Sequence, residues 1–156
     1  MKITVLCVGK TKERFLQEGI AKYLKYLKHY ADVEVREIKE EKIRDLREAP
    51  TVRKKEAERI LKALPPGAFV AALDERGQSF TSHEFADFVN GLQESGVRQA
   101  VFVLGGAMGL EETVTERADK VVAMSRWTFT HEMARLALLE QLYRAFTIIT
   151  GKTYHY

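Results

Sequence analysis

The segment 101–112, VFVLGGAMGLEE, places three glycines within five positions directly after an apolar run. Glycine adopts backbone conformations that other residues avoid, and it lets the chain approach a neighbour closely. A dinucleotide, a phosphate, another stretch of backbone or a different cofactor would each suit such a turn. The spacing of these glycines and their position in the chain narrow the choice.

Two common nucleotide-binding loops do not fit the glycine turn. Gly-Gly-Ala-Met-Gly lacks the G-x-G-x-x-G spacing of dinucleotide folds, and it follows the fourth apolar run of the chain, not the first. No acidic residue ends the next apolar run, where a ribose would need one. A Walker loop is excluded because no Gly-Lys-Ser/Thr follows the turn.

Two further segments are expected beside this turn. LDERG, residues 73–77, follows the third apolar run, and SRWTFTH, residues 125–131, follows the fifth. Because ligands bind at the carboxyl ends of parallel strands, we expect these loops to converge there. Glycine backbone, apolar Leu73 and the segment 127–129 suit a flat aromatic ligand, although Trp127 and Phe129 are equally typical of core residues.

The elements that must position these segments alternate between strands and helices. Strand-like runs occupy residues 3–8, 33–38, 69–73, 100–104 and 120–124. Helical spacing of apolar residues occupies 15–27, 52–64 and 82–92, and Ser82 is the expected N-cap of the third helix. This order predicts an α/β fold with a mainly parallel sheet and helices on both faces. Charged residues alternate with apolar ones in 33–38, as in a half-exposed or edge strand.

The last predicted helix, 131–149, is unusually apolar. Twelve of the 17 residues from 133 to 149 are apolar, so we expect burial on more than one side and infer a dimer interface. One polar stripe is predicted, formed by Glu140, Gln141, Arg144 and Thr147. Arg135 lies in the apolar sector and must find an acceptor or anion there. A structural carboxylate and a substrate or phosphate both remain open.

Composition indicates one folded domain. The chain has 156 residues, 46% hydrophobic and 30% charged, and no apolar run approaches the ~20 residues that span a bilayer. We read the N-terminus as a first strand, not as a signal peptide. Cys7 is the only cysteine, and the four histidines show no paired ligand spacing, so we expect no disulfide and no metal site. These features favour the cytoplasm, with no membrane partner.

Basic residues are concentrated early in the chain. Residues 10–62 hold 16 Lys/Arg and 11 Asp/Glu, a net charge of +5, whereas the whole chain carries +3. Solvated helices of mixed charge would explain this excess, and so would an electrostatic footprint for nucleic acid.

Several motifs together resemble one family. LDERG, VLGGAMGL, S-x-x-TF-x-H-x-M-x-R and EQLYRAF followed by YH occur in order along the chain. The sequence is similar to the SPOUT class of S-adenosylmethionine-dependent RNA methyltransferases, and most closely to the ribosomal large subunit methyltransferase H family. That resemblance implies methylation of N3 of a pseudouridine in 23S ribosomal RNA by a homodimer on ribosomes. It also implies a single α/β-knot domain over 1–156, with a trefoil knot at roughly 69–156.

The resemblance also implies site residues. The residues expected to border the cofactor are Leu73, Gly105, Gly106, Ser125, Arg126, Trp127, Thr128, Phe129 and Thr130. The residues expected to serve catalysis or face the RNA are Arg135, Arg144, Tyr154 and His155. His155 would be the base that removes the ring proton, or it simply packs at the terminus. Arg144 has an alternative helix ion pair with Glu140.

Two positions depart from the family pattern. Thr130 stands where the family usually has proline, and Tyr156 stands where the family usually ends in a basic residue. We further hypothesise that segment 10–62 of one subunit serves the site of the other. A non-enzymatic RNA-binding protein with a vestigial pocket and a small-molecule methyltransferase are the alternatives.

Overall fold

All five strands run parallel in one sheet of this computed structural model, which describes residues 1–154. The spatial order is β2-β1-β4-β3-β5. The strands are β1 (Lys2–Val8), β2 (Asp32–Ile38), β3 (Phe69–Ser79), β4 (Gln99–Leu104) and β5 (Lys120–Ala123). The predicted parallel sheet and the edge position of the second strand are confirmed.

Helices cover both faces of the sheet, as predicted. Three of them, α1 (Arg14–Leu27), α3 (Ser82–Glu94) and α5 (His131–Ile149), share one core with the sheet. The other face carries α2 (Ala49–Ala63) and α4 (Glu112–Arg117). The trefoil knot stays a prediction. No helix within residues 1–154 is both long and apolar enough to cross a bilayer.

The alternation of side chains along β1 explains its mostly apolar sequence, in which the one buried polar residue, Thr4, donates its hydroxyl to Glu34 at 3.1 Å. Ile3, Val5 and Cys7 pack in the core under α1, α3 and α5. Leu6 and Val8 point to the opposite face and pack in the core under α2. Successive residues of a strand face opposite sides, so a strand covered on both faces must be mostly apolar.

The third helix begins one residue away from the expected cap. Thr81, not Ser82, is the N-cap: its Oγ1 accepts the N–H of Glu84 at 3.2 Å, and a Glu84 carboxylate oxygen accepts the N–H of Thr81 at 2.7 Å. The Ser82 hydroxyl instead hydrogen-bonds Gln141 of α5 at 3.2 Å. This reciprocal capping box satisfies two helix N-terminal N–H groups at once, which a serine one position later would not do.

The apolar circumference of α5 is only partly buried within one chain: five of its twelve apolar residues are buried and the other seven are half-buried. The helix packs between α1 and α3 and over the sheet, so Leu138, Leu139 and Leu142 are at most 2% exposed. Thr147 is buried as well and donates to the Arg144 carbonyl at 2.7 Å, so it does not belong to an exposed polar stripe. The half-buried apolar residues leave room for a second subunit, and the dimer interface stays a prediction.

Segment 73–77, expected to be a loop, lies inside β3. The pairing of β3 with β5 shifts register between Leu73 and Gln78, so the segment forms an irregularity within the strand. A Cβ atom on Gly77 would lie 2.6 Å from the backbone of Val121 and Val122. This close approach of two backbones requires glycine, and it explains the last letter of LDERG.

Candidate active site

One cleft of about 1450 Å³ opens where β3 and β4 approach the start of α5. The predicted cofactor residues that line it are Leu73, Gly105, Gly106, Thr128, Phe129 and Thr130. The three segments from different parts of the chain thus meet in one place. Binding of a cofactor by these residues stays a prediction.

The remaining three predicted cofactor residues, Ser125, Arg126 and Trp127, are not among the residues lining this cleft. Trp127 is 83% exposed, so its interpretation as a core residue is wrong. The Ser125 hydroxyl accepts the N–H of Trp127 at 2.9 Å and shapes the turn before α5. Thr130 caps α5 by accepting the N–H of Met133 at 3.2 Å.

The glycine turn after β4 approaches the protein's own atoms. A Cβ on Gly105 would lie 2.7 Å from the carbonyl carbon of Gly109, so this glycine is needed to close the turn. A Cβ on Gly106 would lie 3.0 Å from a carboxylate oxygen of Glu56 and 3.1 Å from a Val8 methyl group. The sequence left several partners open for the glycine turn, and Gly105 closely approaches one of them, another stretch of backbone.

Glu56 of α2 is a buried carboxyl behind the glycine turn. Its Oε1 accepts the N–H of Glu41 at 3.0 Å, whereas its Oε2 has no hydrogen-bond partner among residues 1–154. Burial raises the pKa of Glu56, and the neighbouring carboxylates of Glu40 and Glu41 raise it further. No feature of the sequence KKEAER distinguishes this glutamate from its exposed neighbours.

Arg135 finds its acceptors at the end of β1. Its side chain is fully buried and donates to the Val8 carbonyl at 2.5 Å and to the Thr11 hydroxyl at 2.8 Å, with a Glu37 carboxylate oxygen at 3.8 Å. The expectation of an acceptor in the apolar sector is confirmed. Arg135 is not among the residues lining the cleft, and its hydrogen bonds hold the β1–α1 connection in place; its role toward a substrate stays a prediction.

Glu132 holds the same connection from the first turn of α5. One of its carboxylate oxygens accepts the N–H of Lys12 at 2.8 Å and that of Glu13 at 3.3 Å. Burial opposes ionisation, but these two donors prevail and lower the pKa of Glu132. The start of α5, which borders the cleft, is thereby tied to the segment that leads into α1.

His131, the first residue of α5, lines the cleft. Burial lowers its pKa, and the nearby Arg135 guanidinium lowers it further. Its Nε2 lies 4.0 Å from a Glu132 carboxylate oxygen. A neutral imidazole with a free nitrogen lone pair accepts a proton from a bound ligand. The sequence placed the segment 125–131, which ends at His131, beside the glycine turn but indicated no chemical role for this histidine.

Carboxylates dominate the charge of the cleft. The acidic residues lining it are Glu13, Asp74, Glu75, Glu111, Glu112 and Glu132. Two arginines also line it: Arg76 donates to Asp74 at 2.8 Å and so lowers the pKa of that carboxyl, and Arg53 lies 3.9 Å from Glu111. An acidic cleft attracts cationic ligands and repels phosphates. Among residues 1–154, no cluster of His, Cys, Asp or Glu has the arrangement of a metal site.

Two predicted catalytic residues meet far from the cleft. Arg144 donates to Glu140 at 2.7 Å, and the Tyr154 hydroxyl lies 3.2 Å from the same carboxylate oxygen. The Arg144 guanidinium lies over the Tyr154 ring at 4.8 Å, and burial is the main cause of the raised pKa of Tyr154. His155 lies outside the described residues. The helix pair that was the alternative reading of Arg144 is present.

Comparison with known proteins places this arrangement in a family. The family model described as "Predicted SPOUT methyltransferase" matches residues 1–155. The chain belongs to the SPOUT methyltransferase family. Two relatives named "Ribosomal RNA large subunit methyltransferase H" support this. The one from Carboxydothermus hydrogenoformans is 47% identical and aligns with 99% of each chain. The one from Geobacter metallireducens is 44% identical and aligns with 100% of this chain and 99% of the relative.

Solved structures extend the likeness to the fold. A probable methylase family protein from Haemophilus influenzae Rd KW20 superposes with a TM-score of 0.54 over 99% of this SPOUT methyltransferase and 70% of that chain. Only 13% of the residues are identical, so the likeness shows a shared fold and nothing further.

Proposed function

We propose that this SPOUT methyltransferase transfers a methyl group from S-adenosylmethionine to N3 of a pseudouridine in 23S ribosomal RNA. It acts as a homodimer on ribosomes in the cytoplasm. The names of the two relatives above support the RNA substrate. The observation that carries the proposal is the single cleft in which residues from β3, the glycine turn and the start of α5 meet.

The cleft suits the proposed methyl donor in charge and shape. S-adenosylmethionine supplies an electrophilic methyl group on a positively charged sulfonium. The excess of carboxylates in the lining suits that charge, and Leu73 and Phe129 offer apolar surface to a purine. The residues that would border the donor are Leu73, Gly105, Gly106 and Thr128 to Thr130. Ser125, Arg126 and Trp127 would join them only if their segment folded inward.

A ring N–H must lose its proton before the nitrogen accepts a methyl group. We propose that His131 takes this proton, because it lines the cleft and its lowered pKa favours the neutral form that accepts a proton. Arg135 then acts as a positioning residue that fixes the first turn of α5, on which His131 lies. The earlier assignment of the base to His155 remains a prediction about a residue outside the described range.

Homodimerisation would complete the site. Arg144 lies 13 residues beyond His131 on α5, which corresponds to about 20 Å at 1.5 Å per residue. Arg144 and Tyr154 therefore do not reach the cleft of their own chain. If they contact the target, they do so at the cleft of a second copy, which supports a homodimer with two composite sites.

Calorimetry with S-adenosylmethionine and S-adenosylhomocysteine tests the donor site. The acidic lining predicts tighter binding of the sulfonium than of the uncharged thioether, with a preference that shrinks as salt rises. The double variant Glu75→Gln/Glu112→Gln should lose this preference, whereas Glu58→Gln, exposed on α2, should keep it. Absence of binding at millimolar concentration would favour a non-enzymatic RNA-binding protein.

Mass spectrometry of ribosomal RNA tests the reaction. RNA from cells lacking the protein should have lost one methyl group on a pseudouridine of 23S RNA, and an unchanged methylation map would refute the proposal. In vitro, His131→Gln should lower the turnover number and remove the acid limb of the pH–rate profile. His83→Gln, in α3 outside the cleft lining, is the control and should leave both unchanged.

A further inference from the structure

We propose that the exposed face of α1 is the surface along which a single-stranded RNA segment reaches the cleft of the same chain. This inference rests on the proposed function, and it adds a location for the RNA backbone. The charge of the cleft does not suit the negatively charged RNA backbone. The cleft is lined mainly by carboxylates, so the phosphates next to a target nucleotide must be held elsewhere.

Cations without carboxylate partners lie on α1. Lys22 and Lys25 are exposed, as is Lys28 at the C-cap, and none of the three forms an ion pair with a carboxylate among residues 1–154. The acidic residue Glu18 on this helix is already paired with Arg14 at 2.9 Å. The face therefore carries a net positive charge, the requirement for contact with phosphates.

Aromatic rings on the same face lead toward the cleft. Phe15, Lys22 and Tyr26 are spaced by seven and four residues, so they lie along one side of α1. Tyr26 is 37% exposed near one end of the helix, with one side of its ring against Tyr143 of α5 at 5.3 Å, and Phe15 is 58% exposed at the other end, where it lines the cleft. Phe15 makes no ring contact within residues 1–154. The distance along the helix from Tyr26 to Phe15 is about 16 Å.

Basic and aromatic side chains in alternation suit single-stranded RNA better than they suit another protein. Bases stack on aromatic rings while phosphates contact the cations between them. The Lys22 ammonium already lies 5.8 Å from the Tyr26 ring centre, which shows that the two side chains share one surface. Lysine is depleted in interfaces between proteins, so a second copy of this chain is a poorer occupant.

Charge removal on this face tests the proposal. The full-length variant Lys22→Gln/Lys25→Gln/Lys28→Gln is compared with Lys42→Gln/Lys54→Gln/Lys62→Gln, which removes the same charge from exposed positions at and before α2. Fluorescence anisotropy with a labelled oligouridylate, measured over a salt series, gives the slope of log affinity against log salt. We expect the slope to become shallower by about 2 in the α1 variant and to stay the same in the control.

Stacking is tested separately. Tyr26→Ala should weaken oligouridylate binding by roughly tenfold, and Tyr26→Trp should restore it. Both variants should bind S-adenosylmethionine as the wild type does. On ribosomes, the α1 triple variant should show a raised KM for the ribosomal substrate with little change in kcat.

Three outcomes would overturn the proposal. The first is an unchanged salt slope in the α1 triple variant. The second is a change in the oligomeric state of that variant, because the face would then be a contact between copies. The third is charge-dependent binding to phosphatidylglycerol vesicles instead of RNA. Failure of the proposed function looks different. In that case the wild type would not methylate ribosomal RNA, yet the α1 lysines would still set the salt slope for oligouridylate.

Discussion

One buried charged side chain approaches the end of β1 from each face of the sheet. Arg135 of α5 donates to the Val8 carbonyl on one face. Glu56 of α2 lies behind Gly106, whose missing Cβ leaves room for both the Glu56 carboxylate and a Val8 methyl group. The two groups support neighbouring walls of the same cleft, but their surroundings are opposite in character.

The difference lies in how each charge is matched. Two nitrogens of Arg135 donate to acceptors and the Glu37 carboxylate lies close by, although the buried Nε of Arg135 has no hydrogen-bond partner among residues 1–154. Glu56 receives one N–H and has the Arg59 guanidinium nearby, but burial is the largest effect and, together with repulsion from Glu40 and Glu41, it penalises the charged form. The charged hydrogen bonds of Arg135 thus hold α5 against the end of β1, whereas ionisation of Glu56 weakens the packing of α2 behind the glycine turn.

The largest expected effect is on the α5 side. Arg135→Met should lower the free energy of unfolding by about 3–5 kcal/mol, because it leaves the Val8 carbonyl and the Thr11 hydroxyl without their donor in a buried place. Urea unfolding measures this loss. The control Arg14→Met removes an exposed pair with Glu18 and should cost less than about 1 kcal/mol. Equal losses of unfolding free energy in the two variants would mean that the buried hydrogen bonds of Arg135 contribute no more than an exposed ion pair.

The second test substitutes Gly106 of the glycine turn, which lies next to α2. Gly106→Ala should cost about 1–3 kcal/mol, because the new methyl group meets the Glu56 carboxylate and Val8 at 3.0–3.1 Å in a packed region. Binding of S-adenosylmethionine should weaken as the turn shifts. Gly91→Ala, in α3 with no neighbour within 4 Å, should instead stabilise the protein by about 0.5–1 kcal/mol. Unchanged stability and donor affinity in Gly106→Ala would mean that this wall is not tightly packed.

These two charged groups also show how far the sequence could predict the site. Helical spacing placed Arg135 in the apolar sector of α5 and so predicted a buried acceptor. The spacing could not say that the acceptor is a β1 carbonyl, since Val8 and Arg135 are 127 positions apart. The burial of Glu56 could not be predicted, because a buried glutamate in a charged helix has the same local sequence pattern as an exposed one.

The strands divide in a similar way. Continuous apolar runs predicted β1 and β4 closely, because both are covered on two faces. The extension of β3 to Ser79 was missed, since DERGQS is polar and its pairing with β5 depends on a register shift that only the partner strand reveals. The dimer inferred from α5 stays a prediction, because the sheet, α1 and α3 bury only five of the twelve apolar residues of that helix.

Glu132→Gln should show a smaller and pH-dependent effect on the α5 side. The pKa of Glu132 is lowered in the folded protein, so its ionised form stabilises the fold above the ordinary carboxyl pKa, and this stabilisation is lost as pH falls. The variant should be less stable than the wild type at pH 7.5 by about 1 kcal/mol, and the difference should disappear toward about pH 3, below the ordinary carboxyl pKa. Urea unfolding at both pH values measures it, with exposed Glu58→Gln as the control that should show no such trend.

The smallest expected effect is that of Glu56→Gln, which should stabilise the protein at neutral pH instead of destabilising it. The pKa of Glu56 is raised in the folded protein, so the wild type loses stability as pH rises from the ordinary carboxyl pKa through the raised one. Glu56→Gln keeps an oxygen for the Glu41 N–H and removes the charge. It should match the wild type near pH 4 and exceed it by up to about 1 kcal/mol at pH 7.5. Parallel pH profiles for Glu56→Gln and Glu132→Gln would contradict the contrast, because the two carboxyls would then respond alike to ionisation.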